Sequence, residues 1–282
     1  MPGTLYVVAT PIGNLEDVTL RALRILREVS VIAAEDTRRT ARILQHYSIS
    51  TRTTSLHEHN ERAKTASLIA RLAGGESIAL VSDAGTPVVS DPGGGLIAAA
   101  HAAGIRVEPI PGPSAVVAAL SACGFGDQEF TFAGFPPNRS KARKTWFERL
   151  VTEPHTLVFY EAPHRIRACL EDMLEVFGDR ELLVARELTK KHENLVVGPI
   201  SGHLTGELEE RGEFTLVLHG TDQAPTTHGD SPDAASVTIE FGVLTNNDGL
   251  TRREALRRLA DRYKIPSREV YALIEKGKNS TE

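Results

Sequence analysis

The sequence predicts an α/β protein, with two α/β domains and a small helical module at the carboxyl end. Three observations support this class. Short apolar runs alternate with amphipathic segments, the alternation restarts after Gly124-Phe125-Gly126, and a polar stretch with two prolines precedes a basic helical hairpin. Hydrophobic residues make up 41% and charged residues 24% of the 282 residues, which suits a folded globular chain and excludes global disorder.

The first predicted domain covers residues 1–121, where strands alternate with helices as they do in parallel sheets. After the first strand, Asp17 is expected to cap a helix in which leucines recur at three-residue steps and share one buried face. The predicted strands are Leu5–Ala9, Val31–Ala34, Thr53–Leu56, Ile78–Ser82 and Arg106–Ile110, and the predicted helices between them are Glu61–Ala73 and Leu96–Ala103.

The second predicted domain covers residues 122–220 and repeats this alternation after the glycine break. Two α/β units therefore follow one another along the chain. The predicted strands are Phe130–Ala133, His155–Tyr160, Glu181–Ala185, Leu195–Val197 and Phe214–Leu218, and the predicted helices are Lys141–Leu150 and Ile166–Phe177.

Residues 221–236 are predicted to form a linker, because they are polar, contain two prolines and have little to bury. Residues 237–282 are predicted to form a helical hairpin, since Thr251-Arg252-Arg253-Glu254 has the form of a capping box. Nine Lys and Arg against five Asp and Glu give the segment from Thr251 onward a charge of +4, within a net charge of −5 for the whole chain. A solvated packing unit is the commoner interpretation of such a hairpin, and a helix-turn-helix DNA reader is the rarer one.

The cysteines and the apolar runs exclude several classes of protein. Cys123 and Cys169 lie far apart without metal-ligand spacing, so we expect buried thiols and neither a disulfide framework nor a zinc site. No apolar run approaches the length of a membrane-spanning helix, and the amino terminus does not have the form of a secretion signal. We therefore expect a cytoplasmic protein.

Unusual polar residues follow directly after several predicted strands. In an open α/β sheet, ligands bind in the crevice beyond the carboxyl ends of the strands, so clusters that share this edge predict a binding site. The clusters are Thr10-Pro11, Glu35-Asp36-Thr37-Arg38, Asp83-Ala84-Gly85-Thr86-Pro87, Pro111-Gly112-Pro113-Ser114, Glu161 and Arg186-Glu187.

These clusters also have structural interpretations. Asp83-Ala84-Gly85-Thr86-Pro87 suits a tight turn as well as a functional loop, and Ser114 suits a helix cap as well as a ligand contact. The segment at residues 93–98 has the form of a dinucleotide-binding pattern but does not follow its strand directly, which argues against that function. His57-Glu58-His59 has no clear third ligand, so a polar rim is favoured over a metal site.

Glu35, Asp36 and Glu161 are the best candidates for proton transfer, because burial of a carboxylate raises its pKa toward neutrality. Ion pairing is an alternative of equal weight, through the arginines that lie near them in sequence: Arg38, Arg165 and Arg186. A separate basic segment on the loop and helix after residue 135 suits a phosphate backbone, although a solvated charge run is the commoner explanation. Its candidate RNA contacts are Arg139, Lys141, Arg143 and Lys144.

Taken together, seven motifs in order make the chain resemble the ribosomal RNA small subunit methyltransferase I family of the tetrapyrrole methylase superfamily. The resemblance extends over nearly the whole chain. The motifs are Leu5-Tyr6-Val7-Val8-Ala9-Thr10-Pro11-Ile12-Gly13-Asn14-Leu15, Ala34-Glu35-Asp36-Thr37-Arg38, Leu56-His57-Glu58-His59-Asn60-Glu61, Val81-Ser82-Asp83-Ala84-Gly85-Thr86-Pro87, Pro111-Gly112-Pro113-Ser114-Ala115, Phe159-Tyr160-Glu161-Ala162-Pro163-His164-Arg165 and Ala185-Arg186-Glu187-Leu188-Thr189-Lys190.

The resemblance implies an enzyme that binds S-adenosylmethionine between two α/β domains and methylates the 2′-hydroxyl of a cytidine in small-subunit ribosomal RNA, as free RNA or in the assembled subunit. It also implies a homodimer. The charge of the basic segment and the charge of +4 near the carboxyl end favour RNA as the substrate, with contacts by that segment and the C-terminal module. Two motifs depart from the family pattern, since Gly94 stands where an aromatic residue is common and Ala162 where serine is frequent. The implied cofactor contacts are Ile12, Asp83, Gly85, Thr86, Ser114, Ala115, Glu161, Glu187 and Glu213.

Methyl transfer requires an aligned and deprotonated hydroxyl, so one of Glu35, Asp36 and Glu161 is expected to accept the proton. We expect no metal in this mechanism. Three alternatives stay open at this point: a methylase of a tetrapyrrole-like small molecule, a non-catalytic RNA-binding protein, and a magnesium-dependent phosphohydrolase. The phosphohydrolase would use Glu35, Asp36, Asp83 and Asp91.

Overall fold

The computed structural model describes residues 1–126, 129–206, 209–221, 237–238, 241, 244–245, 250–263 and 265–279. The chain divides into two compact units, Met1–Asp222 and Gln223–Glu282. The larger unit contains two five-stranded sheets, which confirms the predicted α/β class. The predicted domain boundaries within and beyond it remain predictions.

The first sheet is entirely parallel, with the strand order β3-β2-β4-β1-β5. Apolar side chains fill both of its faces, as expected for parallel strands covered by helices. The strands are β1 (Thr4–Val8), β2 (Val31–Ala34), β3 (Thr53–Ser55), β4 (Ile78–Val81) and β5 (Arg106–Ile110), and the helices are α1 (Leu20–Glu28), α2 (Thr37–His46), α3 (Glu61–Ala73) and α4 (Gly94–Ala102).

One predicted helix cap is wrong. Asp17 ends a short 3-10 helix, Leu15–Asp17, and α1 begins after Thr19. The Thr19 hydroxyl oxygen accepts a hydrogen bond of 3.1 Å from the backbone N–H of Ala22, which satisfies a free amide of the first helical turn. The prediction failed because both residues are good capping types and lie two positions apart.

The second sheet is mixed, with the order β6-β7-β10-β8-β9. β6 runs parallel to β7, while β10 is antiparallel to both of its neighbours. On one face Phe147, Phe159 and Phe177 form an aromatic core. The strands are β6 (Phe130–Gly134), β7 (Thr156–Glu161), β8 (Glu181–Arg186), β9 (Asn194–Pro199) and β10 (Phe214–Leu218), and the helices are α6 (Ser140–Glu148), α7 (Ile166–Phe177) and α8 (Ile200–Thr205).

Helix α5 (Ala115–Cys123) follows the first sheet in sequence but packs on the second. Val116, Ala119 and Cys123 are buried there against strand residues such as Val158 and Val217. The loop before α5 therefore leads from one sheet to the other, and this places residues 111–115 next to both.

The smaller unit contains the predicted helical hairpin, formed by α9 (Arg252–Tyr263) and α10 (Ser267–Asn279) around a core that includes Leu259 and Ile274. The capping box is present, since the Thr251 N–H donates to Glu254 Oε2 at 2.9 Å and the Glu254 N–H donates to Thr251 Oγ1 at 3.4 Å.

The predicted linker, apart from Thr221, lies outside the described residues. Among the helices that the structure describes, none has the length and apolarity needed to cross a bilayer.

Candidate active site

A cavity of about 400 Å³ lies in the larger unit, where strand ends of both sheets meet. Parallel strands bring the loops after β1, β2, β4 and β5 to one edge. β10 is antiparallel to β7, with Phe214 paired to Glu161, so the start of β10 lies beside the end of β7. The cavity is lined by Ile12, Glu35, Arg39, Asp83, Ala84, Gly85, Thr86, Val89, Ser90, Asp91, Ser114, Ala115, Phe135, Tyr160, Glu161, Ala162, Pro163, Glu213, Phe214 and Thr215.

Of the eleven residues predicted to act in catalysis or cofactor binding, nine line this cavity and two do not: Asp36 and Glu187. The functional roles of all of them remain predictions. The residues that do line it are Ile12, Glu35, Asp83, Gly85, Thr86, Ser114, Ala115, Glu161 and Glu213.

Backbone bonds hold the cavity loops in place. Thr10 and Gly85 exchange two hydrogen bonds, of 2.8 and 2.9 Å. Gly85 has a φ of +79°, a conformation that favours glycine, and a Cβ there would lie 3.3 Å from Cγ2 of Ile12. The Thr86 hydroxyl donates to the carbonyl oxygen of Pro113 at 3.1 Å, which links the β4 loop to the loop before α5. Residues 83–86 are therefore held in place as a wall of the cavity.

Ser114 occupies the N-cap position of α5, but its side chain makes no capping hydrogen bond. Of the two interpretations open in the sequence, the contacts favour a side chain available to a ligand, since Ser114 lines the cavity.

Three carboxylates gather on one wall: Glu35, Asp83 and Asp91. The backbone N–H of Asp83 donates to Glu35 Oε2 at 3.3 Å, and Arg39 lies 3.4 Å from Asp83 Oδ2. Burial, more than the neighbouring charges, raises the pKa of Glu35 above its usual value. Burial, followed by the charge of Glu35, raises the pKa of Asp91 to about 6. This wall therefore holds two carboxyl groups with elevated proton affinity.

Asp36 is next to Glu35 in sequence and has a different environment. It caps α2, accepting a bond of 2.8 Å from the Arg38 N–H, and it forms an ion pair with the Arg38 guanidinium at 2.8 Å. Hydrogen bonds from the Arg38 side chain and backbone lower the pKa of Asp36 to about 2. The ion-pairing alternative therefore describes Asp36, whose low basicity argues against proton transfer.

Glu161 is 2% exposed, and its two oxygens differ. Oε1 accepts hydrogen bonds from the Ala162 N–H at 2.7 Å and from Arg165 Nε at 2.6 Å. Oε2 is buried, and the thiol of Cys169 lies beside this carboxylate. Burial, followed by the charge of Glu161 and a hydrogen bond to it, raises the pKa of that thiol.

Glu187 acts on the cavity through Glu213. Its Oε1 accepts hydrogen bonds from the Glu213 N–H at 2.9 Å and from Lys190 Nζ at 2.8 Å, and Lys190 also contacts Glu213 Oε2 at 2.9 Å. The neighbouring Thr189 hydroxyl accepts a bond of 3.0 Å from the Asn14 N–H, so loops from the two sheets are joined here. Arg186 pairs with Glu209 at 2.6 Å and with none of the three candidate proton acceptors.

The sequence did not single out Arg39, Phe135 and Tyr160 as site residues. Phe135 and Tyr160 form a ring pair with centroids 5.4 Å apart on the cavity wall. Burial, followed by the charge of Asp91, raises the pKa of Tyr160 to about 12. Tyr160 is the residue before Glu161 on β7, and because consecutive strand side chains point to opposite faces, strand alternation does not predict that both line one cavity. Among the hypotheses drawn from the sequence, Asp91 was named only in the phosphohydrolase alternative.

The metal and RNA hypotheses have different outcomes. In the part of the chain that is described, no three His, Cys, Asp or Glu side chains are arranged to hold a metal ion, which gives the phosphohydrolase alternative no support. Arg143 was predicted to contact RNA, and this is wrong because its side chain is 3% exposed and pairs with Asp172 at 2.6 Å. Lys144 pairs with Glu175 at 2.5 Å, while Arg139 and Lys141 are exposed.

Comparison with known proteins gives a consistent result. The family model for Tetrapyrrole (Corrin/Porphyrin) Methylases matches residues 4–202. The "Ribosomal RNA small subunit methyltransferase I" of Xylella fastidiosa strain Temecula1 is 50% identical over 236 residues, covering 81% of this chain and 86% of the relative. The protein of the same name from Synechocystis is 44% identical over 275 residues, covering 96% and 97%.

Among solved structures, a uroporphyrin-III-C-methyltransferase from Thermus thermophilus is 26% identical, with a TM-score of 0.54 over 76% of this chain and 94% of that one. Another structure of a Thermus thermophilus uroporphyrin-III C-methyltransferase, complexed with S-adenosyl homocysteine, has a TM-score of 0.57 and 19% identity, over 77% of this chain and 97% of that one. At 19% identity, this second similarity shows a shared fold and nothing more.

Proposed function

The chain belongs to the tetrapyrrole methylase family, in the group of ribosomal RNA small subunit methyltransferase I, and from this we propose that it methylates RNA of the small ribosomal subunit with S-adenosylmethionine. We further propose that the acceptor is the 2′-hydroxyl of a cytidine. One observation carries the proposal: a cavity at the strand ends that combines carboxyl groups of raised pKa with the buried carboxylate of Glu161.

The cavity residues fit S-adenosylmethionine. Its volume of about 400 Å³ is in the range of small-molecule sites. The cofactor carries ribose hydroxyls and an ammonium group, which donate hydrogen bonds and suit carboxylate acceptors such as Asp83 and Glu161. Ile12 and Ala115 supply apolar wall for a flat base. When bound, the cofactor supplies an electrophilic methyl group.

A ribose hydroxyl becomes a good nucleophile once its proton is removed. Glu35 is the best supported acceptor among the three predicted carboxylates, because burial raises its pKa whereas Asp36 is held at about 2. Asp91 lies on the same wall, and its pKa of about 6 makes it a second candidate acceptor beside Glu35. Glu161 forms an ion pair with Arg165, and this fixed carboxylate suits a role in binding the cofactor.

A ribosomal substrate is favoured over a tetrapyrrole by the comparisons. Relatives named for ribosomal RNA are 44% and 50% identical over most of the chain, against 26% for a uroporphyrin enzyme. We also propose that the protein works in the cytoplasm as a homodimer, as the family resemblance implies. Light scattering of the purified protein tests the dimer, and fractionation of cells tests the location.

The deciding experiment maps ribose methylation of small-subunit RNA in cells with the protein, without it and with it restored. The proposal expects one methylated cytidine that is absent only without the protein. An unchanged methylation pattern contradicts the proposed function.

For the purified enzyme, Glu35→Gln should lower kcat by about 100-fold or more if Glu35 accepts the proton. Asp36→Asn is the matched control, because asparagine also caps helices and the change removes the same charge one residue away. Calorimetric titration with S-adenosylmethionine should show intact binding in both variants. Equal methylation rates for the two variants would remove Glu35 from the mechanism.

A further inference from the structure

A second concave surface, of about 550 Å³, lies along helix α6 and has no part in the cavity described above. We call it the α6 groove. The residues that define it are Pro137, Arg139, Lys141, Thr145, Trp146 and Arg149.

The α6 groove is positively charged. Its three cations, Arg139, Lys141 and Arg149, are exposed, and none of them forms an ion pair with an acidic side chain in the described part of the chain. The neighbouring basic residues differ, since Arg143 and Lys144 are paired with acidic residues of α7. The charge of the groove is therefore uncompensated and available to an anionic partner.

An aromatic ring lies among these charges. Trp146 is the single tryptophan of the chain, is half-buried, and contacts Phe159 with ring centroids 5.9 Å apart while lining the groove. Cations with an indole between them suit a nucleic-acid strand, whose phosphates pair with the cations and whose unstacked bases stack on aromatic rings. An anion that carries no nucleobase would pair with the cations, but it would make no stacking contact with the indole.

The groove begins two residues along the chain from the cavity, a span of at most about 7 Å. Phe135 lines the cavity and Pro137 lines the groove. Between them, the carbonyl oxygen of Pro136 accepts a bond of 3.2 Å from Arg165, the residue that also pairs with Glu161. A strand with one nucleotide in the cavity therefore reaches the groove within a short distance.

We propose that the α6 groove binds single-stranded RNA next to the methylated nucleotide, with phosphates on Arg139, Lys141 and Arg149 and a base on Trp146. This inference rests on the proposed function, because RNA is the substrate that would occupy both places. The groove holds the strand and takes no part in the chemical step.

The test compares the wild type with two triple variants of equal charge change. The groove variant is Arg139→Ala/Lys141→Ala/Arg149→Ala. The control variant is Arg42→Ala/Arg52→Ala/Arg62→Ala, which removes exposed arginines of the first sheet's helices and loops. The probe is small ribosomal subunits, and RNA purified from them, taken from cells that lack the protein. Affinity is measured at several salt concentrations, together with methyl transfer and calorimetric binding of S-adenosylmethionine.

The groove variant should bind S-adenosylmethionine normally, keep kcat and raise KM for the ribosomal substrate by about tenfold or more. The slope of log affinity against log salt should fall by about 2, since each lost phosphate contact on a single strand contributes about 0.7. A second variant, Trp146→Phe, should keep the fold and the salt slope and lose part of the affinity.

Groove and control variants with equal affinity and equal salt slope overturn the inference while leaving the methylation function intact. If the wild-type protein binds RNA through the groove but never methylates it, the proposed function is overturned and the inference that the groove binds RNA stands. Wild-type protein that neither binds nor methylates the subunit overturns both.

Discussion

Replacement of Asp91 by asparagine should make the protein more stable and less active at neutral pH. Asp91 lies on the carboxylate wall of the cavity, where burial and the charge of Glu35 raise its pKa from 3.8 to about 6. The ionised side chain is therefore disfavoured in the folded protein relative to the unfolded chain. Asparagine keeps the shape of the side chain and removes that charge.

The size of the effect follows from the shift in pKa. A difference of about 2 pKa units corresponds to roughly 3 kcal/mol at 1.36 kcal/mol per unit. Because the side chain is only partly buried, solvent screening reduces the expected gain to about 1 to 1.5 kcal/mol. The folded state binds this proton more tightly, so the stabilising contribution of protonation is complete at acid pH and is lost as pH rises through about 6.

Urea unfolding, followed by Trp146 fluorescence, measures the free energy of unfolding at about pH 5 and about pH 7.5. Asp91→Asn should raise the free energy of unfolding at both pH values. The gain at about pH 5 should be roughly half of the gain at about pH 7.5. At pH 7.5 its methylation rate should fall about tenfold or more, because a proton acceptor of suitable pKa is lost.

Asp179→Asn is the control of opposite sign. Hydrogen bonds from the backbone and hydroxyl of Ser201 lower the pKa of Asp179, so its charged form stabilises the folded state above the unfolded pKa. That variant should lose stability at neutral pH and lose less of it as pH falls. An Asp91→Asn variant that is less stable at pH 7.5, or whose gain does not change with pH, would refute the electrostatic description of the cavity wall.

Two further predictions concern buried charges. Glu161→Gln should weaken S-adenosylmethionine binding by about tenfold or more in calorimetric titration, because a hydrogen bond to a charged group contributes about 1.5 to 3 kcal/mol; unchanged affinity would mean that the Glu161 carboxylate does not bind the cofactor. Asp172→Asn should lower the free energy of unfolding by about 3 kcal/mol or more, because it leaves the buried guanidinium of Arg143 without its counter-charge. The exposed pair of Arg24 and Glu28 is the control, since Glu28→Gln should cost less than about 1 kcal/mol in the same urea titration.

Much of the site was determined by sequence alone. The ten strands and the helical hairpin follow from apolar runs, glycine stops and a capping box, which are local signals. Parallel strands share the edge at which they end, so residues after different strands must meet there. Glu35, Asp83 and Ser114 could therefore be placed at one cavity without knowledge of their contacts.

Tertiary structure alone decided what each of these residues can do. Glu35 and Asp36 are adjacent in sequence, yet the pKa of one is raised by burial and that of the other is lowered by Arg38. In the same way Arg143 and Arg139 belong to one basic segment, but Asp172 of another helix buries and neutralises the first and leaves the second exposed. Burial and partner charges come from elements distant in the chain, and free energies of ionisation depend on those surroundings, so local sequence determines where a side chain lies and packing determines its chemistry.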